Sequence, residues 1–478
     1  MSDVCSSTLS RTRPGALGAG YWPLLAVSLG FVMAMLDVTV VNVALGSIER
    51  GLRAGLPTLV WVVDGYTLSF AALLLVGGAL ANRHGARRVY MGGLALFVAA
   101  SVLCGAAPNG NTLVLARLVQ GLGAALFMPS SLSLLGQAYP AEHERLRVFA
   151  LWSAIVSVAV AAGPLVGGLV VATLGWRAVF WLNAPIGVLA LVLARRQLPP
   201  SHSDATARPG IVPHLLAVTM LAALALALIE GGSWGWASPR ILAALALSAA
   251  AALLLFHCER RAAAPILPRA LLGRPGFAAV NAVGFLINFG AFGQLFLISL
   301  YFQKARHADA WHAGLDLLPL MAMFTLGNLL SPRVSARWGA RRAMALGLGA
   351  SALLSAVLAA VGEGLALPWF SAWLAAANLG VAMAVPAMTA TVMQLAGKAH
   401  ANIAAAALNA NRQIGALIGV AAVGIVLHAE ASWPPALAVA LGLIAAAYLA
   451  GAMLAARAGQ GARAGAPYTG SPPRRPGS

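Results

Sequence analysis

Long apolar stretches constrain what this chain can fold into more than any other feature of its sequence. A helix needs ~20 consecutive apolar residues to cross the hydrocarbon core of a bilayer. Only 9% of the 478 residues are charged, whereas soluble domains carry about 25%, so the composition excludes a soluble globular protein. We predict fourteen membrane-spanning helices, at roughly 21–45, 58–80, 89–107, 111–136, 147–172, 179–194, 213–230, 239–258, 276–300, 313–331, 343–362, 368–394, 403–428 and 435–456.

The basic residues predict the orientation of these helices. An even number of spans places both termini on one side, and Lys and Arg are several times more frequent in the loops of that side than in the opposite loops. The positive-inside rule then predicts a multi-pass protein of the inner (plasma) membrane with both termini in the cytoplasm. The net charge of +18 is explained by this topology, so we expect no nucleic-acid partner.

An internal repeat predicts how the spans are grouped. Residues 81–90 recur as 335–344 with a shared R-x-G-A-R-R core, and Gly and Pro recur at the same spacing downstream. The two copies are eight spans apart, which fits two six-helix bundles separated by two inserted helices. The predicted units are a cytoplasmic N-terminus (1–20), an N-terminal bundle (21–198), a linker with the inserted helices (199–275), a C-terminal bundle (276–456) and a disordered tail (457–478).

Six short motifs carry a resemblance to a known family, and they lie at 36–45, 61–66, 78–88, 117–123, 163–168 and 183–187. In this order and placement they resemble the major facilitator superfamily, in particular its fourteen-helix drug:proton antiporter branch. The resemblance covers nearly the whole chain. It implies the major facilitator fold, all-α and polytopic, and an exporter of amphipathic drugs or toxic metabolites that is driven by the proton gradient.

Ionisable side chains inside the predicted spans are candidates for proton coupling, because burying a charge there costs ~2.5–3.5 kcal/mol on insertion scales. Asp37, Asp64 and Arg117 fall at similar depths, ~10–12 Å from one side. A carboxyl balanced between burial and a nearby arginine can exchange a proton near neutral pH. We predict that Asp37 carries the coupling proton and Arg117 tunes it; the alternative is a purely structural ion pair. Asp64 is either a second proton site or a carboxylate near the N-terminal end of its helix.

Two glycine-containing motifs are candidates for gates. The loop after span 2 contains arginines that can bind helix C-termini or carboxylates, although the resemblance implies an Asp latch where Asn82 stands. Span 5 combines a proline that kinks the helix with glycines that remove side-chain bulk, and the resemblance makes it an outer gate. Simple charge anchoring and ordinary small-residue packing are the alternatives. The candidate residues are Gly78, Asn82, Arg83, Gly85, Arg87, Arg88, Gly163, Pro164, Gly167 and Gly168.

A row of aromatic rings in span 9 predicts one wall of a substrate site. Steps of four, three and four residues place Phe285, Phe289, Phe292 and Phe296 on one helical face. Such a wall suits flat, hydrophobic and often cationic compounds; a lipid-facing or core stripe is the equal alternative. The other predicted substrate contacts are Trp61, Tyr66, Gln120, Gln294, Asn409 and Arg412.

The sequence contains no signature of an enzyme or of an ATP-driven pump. The H-E-x-x-H, G-x-S-x-G and G-x-x-x-x-G-K patterns are missing, and the histidines and cysteines form no ligand set. We therefore expect no metal and no cofactor, with the proton gradient as the energy source, and an amphipathic small molecule, protons and membrane lipids as partners. A dedicated exporter of one metabolite or siderophore, a non-transporting receptor or scaffold, and a periplasmic adaptor stay open.

Overall fold

The computed structural model describes residues 20–201, 211–262, 268–274 and 276–457. The predicted cytoplasmic N-terminus before residue 20, the disordered tail after residue 457 and part of the predicted linker lie outside the described residues. Within them are fourteen helices long and apolar enough to cross a membrane, so the predicted number is confirmed. Helices α1 to α14 are Trp22–Leu52, Leu56–His84, Ala86–Ala106, Gly110–Ala138, Glu142–Leu174, Trp176–Gln197, Val212–Trp234, Pro239–Arg261, Phe277–Ala305, Ala310–Trp338, Ala340–Gly364, Leu367–Gly397, Ile403–Ala429 and Trp433–Arg457.

The helices extend beyond the predicted spans because hydropathy marks only the segment that suits hydrocarbon. α5, for example, begins at Glu142, five residues before the predicted start at 147. Polar residues continue the helices into the region of the head groups and cap them. The Asn109 side chain accepts a hydrogen bond from the Thr112 backbone N–H at the start of α4, and Ser238 caps α8 in the same way.

The helices form two groups of six, and the inserted pair contacts both groups. α1 to α6 pack on one another, as do α9 to α14, while α7 and α8 form a hairpin. α7 contacts the first group through Trp61 of α2 and the second through His428 of α13. α6 ends at Gln197 and α9 begins at Phe277, and the residue boundaries of the predicted units remain a prediction.

The sequence repeat is also a structural repeat. Gly85 between α2 and α3 (φ 90°) and Gly339 between α10 and α11 (φ 82°) adopt the same positive-φ conformation, which favours glycine. A Cβ at Gly93 of α3 would lie 2.9 Å from the Gly123 carbonyl oxygen of α4. The α11–α12 crossing uses the equivalent glycine pair, so both halves of the chain bring the same helices into backbone contact.

The two bundles contact each other through one half of their length. We call the face that holds Trp22 and Arg457 the termini face and the opposite one the far face. Among the described residues, the hydrogen bonds and the ion pair that join α1 to α9 all lie in the far half. Gln303 Oε1 accepts from the Gly46 N–H (3.1 Å), Ser299 Oγ donates to the Asn42 carbonyl (2.6 Å), and Lys304 pairs with Glu49 (2.6 Å). The far face is therefore closed in this conformation.

Candidate functional site

Asp37 and Arg117 form an ion pair in the interior of the first bundle. Arg117 Nη1 lies 2.5 Å from Asp37 Oδ2, and both side chains are buried. Arg117 Nε donates to the Val62 carbonyl of α2 at 2.8 Å. The predicted meeting of Asp37 and Arg117 is thus observed, and it ties α1, α2 and α4 together.

Amide side chains complete the coordination of the Asp37 carboxylate. Gln120 Nε2 and Asn183 Nδ2 donate to Asp37 Oδ1 at 2.8 and 2.9 Å. Both amides also donate to Ser101 Oγ of α3. Asp37 therefore accepts one charged and two neutral hydrogen bonds.

Two predicted substrate contacts belong to this buried cluster instead. Gln120 is completely buried and receives a second hydrogen bond from Arg117 Nη1 at 2.5 Å. The Tyr66 ring lies 4.6 Å from the Arg117 guanidinium carbon as a cation–π partner, and only 2% of the residue is exposed. Both side chains are buried against Arg117. A substrate therefore cannot reach them in this conformation.

Asp64 does not join the cluster, although it lies at a similar depth. Val62 and Tyr66, four residues apart, occupy the face of α2 that contacts Arg117. Asp64 lies midway between them in sequence, ~200° around the helix, so its side chain leaves from the opposite face. It is completely buried, and neither carboxylate oxygen has a hydrogen-bond partner among the described residues.

The face of α2 that carries Asp64 is the face that meets the second bundle. Val60, one helical turn before Asp64, packs against Gly424 of α13, where a Cβ would lie 2.8 Å from a Val60 methyl group. Positions four apart share a helical face, so Asp64 lies at the seam between α2 and α13. Three charged or titratable groups on helices that contact α2 do not pair with Asp64. Arg117 binds Asp37, Glu230 binds Trp61, and His428 is exposed at the far face.

The glycine motif of α5 contacts two helices, α1 of its own bundle and α10 of the second bundle. Gly163 and Gly167 pack against Thr39 and Val40 of α1, within the first bundle. Gly168 packs against α10 of the second bundle, where a Cβ would lie 2.7 Å from the Ala310 carbonyl oxygen. In return Gly314 of α10 packs against the Pro164 carbonyl and lies beside Gly168. This part of the predicted gate is therefore a backbone-to-backbone contact that closes the far face.

The loop between α2 and α3 makes fewer contacts than predicted. Arg87 donates to the Arg195 carbonyl at the C-terminal end of α6 (2.5 Å), so it binds a helix end within its own bundle. Asn82, Arg83 and Arg88 are exposed and make no hydrogen bond or ion pair to another described residue. Gly78 does not bring α2 and α3 together, since a Cβ there would contact nothing within 4 Å. The neighbouring Gly77 is the residue that packs closely, and its partner is α4.

In the aromatic row of α9 one ring is buried and three are partly exposed. Phe296 is completely buried, and Phe292 packs against the same core. Phe285 and Phe289 stack with ring centroids 6.4 Å apart and stay partly exposed. Phe285 and Phe289 lie in the half of α9 nearer the termini face, whereas the partly exposed Phe292 packs against the core of the far half.

The remaining predicted substrate contacts differ in exposure and in their hydrogen-bond partners. Trp61 Nε1 donates to Glu230 of α7 at 2.8 Å, so this ring anchors the inserted hairpin. Gln294 is 1% exposed and has no hydrogen-bond partner among the described residues. Asn409 is exposed, and the Arg412 Nε group donates to Asn288 of α9 at 3.2 Å. Of this set Asn409 is exposed, whereas Trp61 and Arg412 are partly exposed.

Comparison with known proteins places this arrangement in a family. The model of the Major Facilitator Superfamily matches residues 27–420. The chain belongs to the major facilitator superfamily. It is 46% identical over 438 residues to the methylenomycin A resistance protein of Bacillus subtilis (strain 168), with 90% of this chain and 92% of that protein covered. It is 45% identical to the protein of the same name from Streptomyces coelicolor, with 91% of both chains covered.

A solved structure supports the fold. The chain superimposes on a crystal structure of the peptide transporter POT in complex with sulfate with a TM-score of 0.69 and 17% identity, over 92% of this chain and 94% of the other. At that identity the likeness establishes the fold alone. With fourteen apolar helices, this major facilitator protein is a multi-pass membrane protein.

Asn183 and Ser101 are the site residues that sequence reasoning missed in this transporter. Asn183 lies in the motif at 183–187, which entered the family resemblance without a role for any side chain. The break after Trp181 in α6 directs the Asn183 amide to Asp37. Ser101 is a small polar residue in an otherwise apolar helix, a signal too common to identify a site.

Bulk at Gly168 is expected to prevent closure of the far face. In Gly168→Leu the side chain must displace the backbone of Ala310 and Trp311, so we expect transport to fall at least about tenfold. A cysteine introduced in the far half of the seam should then stay reactive toward a membrane-impermeant maleimide. Gly349→Leu is the matched control, because a Cβ at Gly349 has nothing within 4 Å; equal transport in the two variants would remove the gate assignment.

Proposed function

We propose that this facilitator exports an antibiotic or similar toxic metabolite across the inner membrane in exchange for protons, with both termini in the cytoplasm. The names of its two relatives, both methylenomycin A resistance proteins, support a role in antibiotic resistance. The excess of Lys and Arg on the termini face supports the orientation. The proposal involves no enzymatic step and no cofactor, since the proton gradient supplies the energy.

In this orientation the structure corresponds to a conformation that loads its cargo from the cytoplasm. The far face, which would face outward, is sealed by the α1–α9 and α5–α10 contacts. Export then needs these contacts to separate while the termini face closes. Alternating access of two packed bundles around a central site is the common plan of such transporters.

The burial of Asp64 without a hydrogen-bond partner among the described residues is the observation that supports proton coupling. In the closed seam an ionised Asp64 would be buried without a counter-ion or donor, which is costly, so the carboxyl binds a proton there. When the seam opens outward, the group becomes hydrated. Loss and uptake of a proton at Asp64 are thereby linked to opening and closing of the gate.

Asp37 has contacts that suit a constant charge better than an exchanged proton. Its carboxylate is held by Arg117 and two amides within one bundle, and no part of that network crosses the seam. We propose that the Asp37–Arg117 pair holds α1, α2 and α4 in register. The sequence-based assignment of the coupling proton to Asp37 stays as the competing prediction.

Resistance and vesicle transport test the proposed function. Expression in a methylenomycin A-sensitive host is expected to raise the inhibitory concentration several-fold. In everted vesicles, uptake of the antibiotic should stop when the pH difference is collapsed. Unchanged sensitivity of a host that makes the protein, or uptake that ignores the pH difference, would contradict the proposal and favour a non-transporting role.

A dedicated exporter is the second candidate, because the relatives' names specify one antibiotic. A broad exporter of amphipathic drugs would also protect cells against a panel of cationic dyes. Growth inhibition by that panel, with and without the protein, separates the two. Protection against methylenomycin A alone supports the dedicated exporter.

A further inference from the structure

Arg412 is a permanent charge in the second bundle that the proton-exchange mechanism does not use. It lies nine residues into α13, ~14 Å from the helix end at the termini face. The Val60–Gly424 contact that closes the seam lies twelve residues further along the same helix. In the proposed orientation Arg412 therefore lies on the cytoplasmic side of the seal.

The guanidinium group has no counter-ion among the described residues. Its Nε donates to Asn288 Oδ1, and none of the three ion pairs among the described residues involves it. Its two terminal nitrogens have no acceptor among the described residues, and Asn288 contributes a further unpaired N–H donor through its Nδ2. The group is thus a set of hydrogen-bond donors around a positive charge, which favours an anion.

Arg412 lies where α13 crosses α9, and part of its surface stays accessible. It contacts Asn288 and Gly284 of α9 and is only partly buried. Close packing of α9 and α13 holds it there. Gly415 and Gly419 contact the backbones of Phe285 and Phe289, and a Cβ at Gly284 would lie 3.3 Å from Arg412 Cγ. The partly exposed rings of Phe285 and Phe289 therefore flank the helix crossing at which Arg412 binds Asn288.

We infer that Arg412 binds the acidic group of the substrate, so that the cargo is an amphipathic organic anion such as a carboxylate. Its apolar body contacts the Phe285 and Phe289 rings, while the carboxylate accepts hydrogen bonds from the terminal nitrogens of Arg412. This replaces the expectation of a cationic cargo, because the field of an unpaired guanidinium repels cations. The inference rests on the proposed function and specifies the substrate class of that transporter.

Three probes of one shape and different charge test the inference on the purified full-length protein. Equilibrium dialysis measures binding of 2-naphthoate, its neutral amide 2-naphthamide and the cation 2-naphthylmethylammonium. We expect 2-naphthoate to bind at least about tenfold more tightly than 2-naphthamide, and the cation to bind most weakly. Equal binding of all three, tightest binding of the cation, or no binding of 2-naphthoate at millimolar concentration would overturn the inference.

Variants locate the selectivity at Arg412. Arg412→Gln should weaken 2-naphthoate binding about tenfold or more and change 2-naphthamide binding less than twofold. Arg412→Lys should retain part of the preference, because an ammonium keeps the charge and loses the bidentate geometry. Arg240→Gln, which removes the same charge in the inserted hairpin near Trp234, should leave the preference unchanged. An equal loss of both ligands in Arg412→Gln would indicate a merely structural arginine.

A second variant keeps the test informative if Arg412→Gln does not fold. Asn288→Ala removes the residue that orients the guanidinium, and we expect a several-fold loss for 2-naphthoate only. An unchanged preference in Asn288→Ala, or an equal loss of 2-naphthoate and 2-naphthamide binding, would contradict the inference. Resistance and proton-dependent uptake of methylenomycin A without any preference for anions would refute this inference and leave the proposed function intact.

Discussion

Asp64→Asn is expected to abolish proton-coupled export while leaving folding and expression near normal. The amide is isosteric with the carboxyl and cannot exchange a proton, so closing and opening of the α2–α13 seam lose their link to the pH difference. We expect uptake by everted vesicles to fall at least about tenfold. Substrate-induced proton release from the detergent-purified protein should disappear in the same variant.

Asp309→Asn is the matched control for this substitution. Asp309 caps α10 at the far face and is exposed, and its carboxylate accepts a hydrogen bond from the His312 N–H. Asparagine caps helices as well as aspartate does, so coupling and stability should both remain. Substrate-induced proton release that persists in Asp64→Asn would show that the proton is carried elsewhere.

Breaking the Asp37–Arg117 pair is expected to destabilise the first bundle strongly. Arg117→Gln leaves a buried carboxylate that accepts only from the two amides of Gln120 and Asn183, and Asp37→Asn leaves a buried guanidinium without its counter-ion. Removal of one partner of a buried pair typically costs about 3–5 kcal/mol. Each single variant should therefore show a clearly lower unfolding temperature in detergent and a lower yield of monodisperse protein.

The double variant Asp37→Asn/Arg117→Gln separates a structural role from a proton-carrying one. It removes both charges together, so we expect it to recover a large part of the stability that each single variant loses. A stable Asp37→Asn variant that has lost substrate-induced proton release, alongside an active Asp64→Asn variant, would instead support the sequence-based prediction. Assignment of the coupling proton to Asp64 and its assignment to Asp37 thus predict opposite outcomes for these two variants.

Much of the candidate site was predictable where counting residues along a helix is enough. The depth of Asp37 and Arg117 along their helices follows from counting residues, and costly charges at one depth are expected to pair. The glycines around Pro164 indicated close packing, and the structure adds that Gly168 and Gly314 meet across the two bundles. Counting along a helix gives depth and relative face, and it leaves the partner of that face undetermined.

The contacts that the sequence did not predict share that cause. Tyr66 and Gln120 were assigned to a substrate pocket, and in the fold they surround Arg117. Trp61 anchors α7 through Glu230, a contact between distant parts of the chain that no local pattern encodes. Asp64 was grouped with the other charges by depth, although it leaves α2 on the opposite face.

By itself the sequence determined the membrane class, the fourteen helices and the repeated halves, because transfer of apolar side chains from water and the periodicity of a helix act locally along the chain. Only the tertiary structure decided that Asp37 is held by Arg117, Gln120 and Asn183. Within the part of the chain that the structure describes, it also decided that Asp64 is buried at the seam without a hydrogen-bond partner and that Arg412 has no counter-ion. Those properties depend on which helices become neighbours and how they rotate about their axes. Backbone contacts at glycines such as Gly123, Gly168 and Gly415 set that rotation, and each depends on residues far away in the sequence.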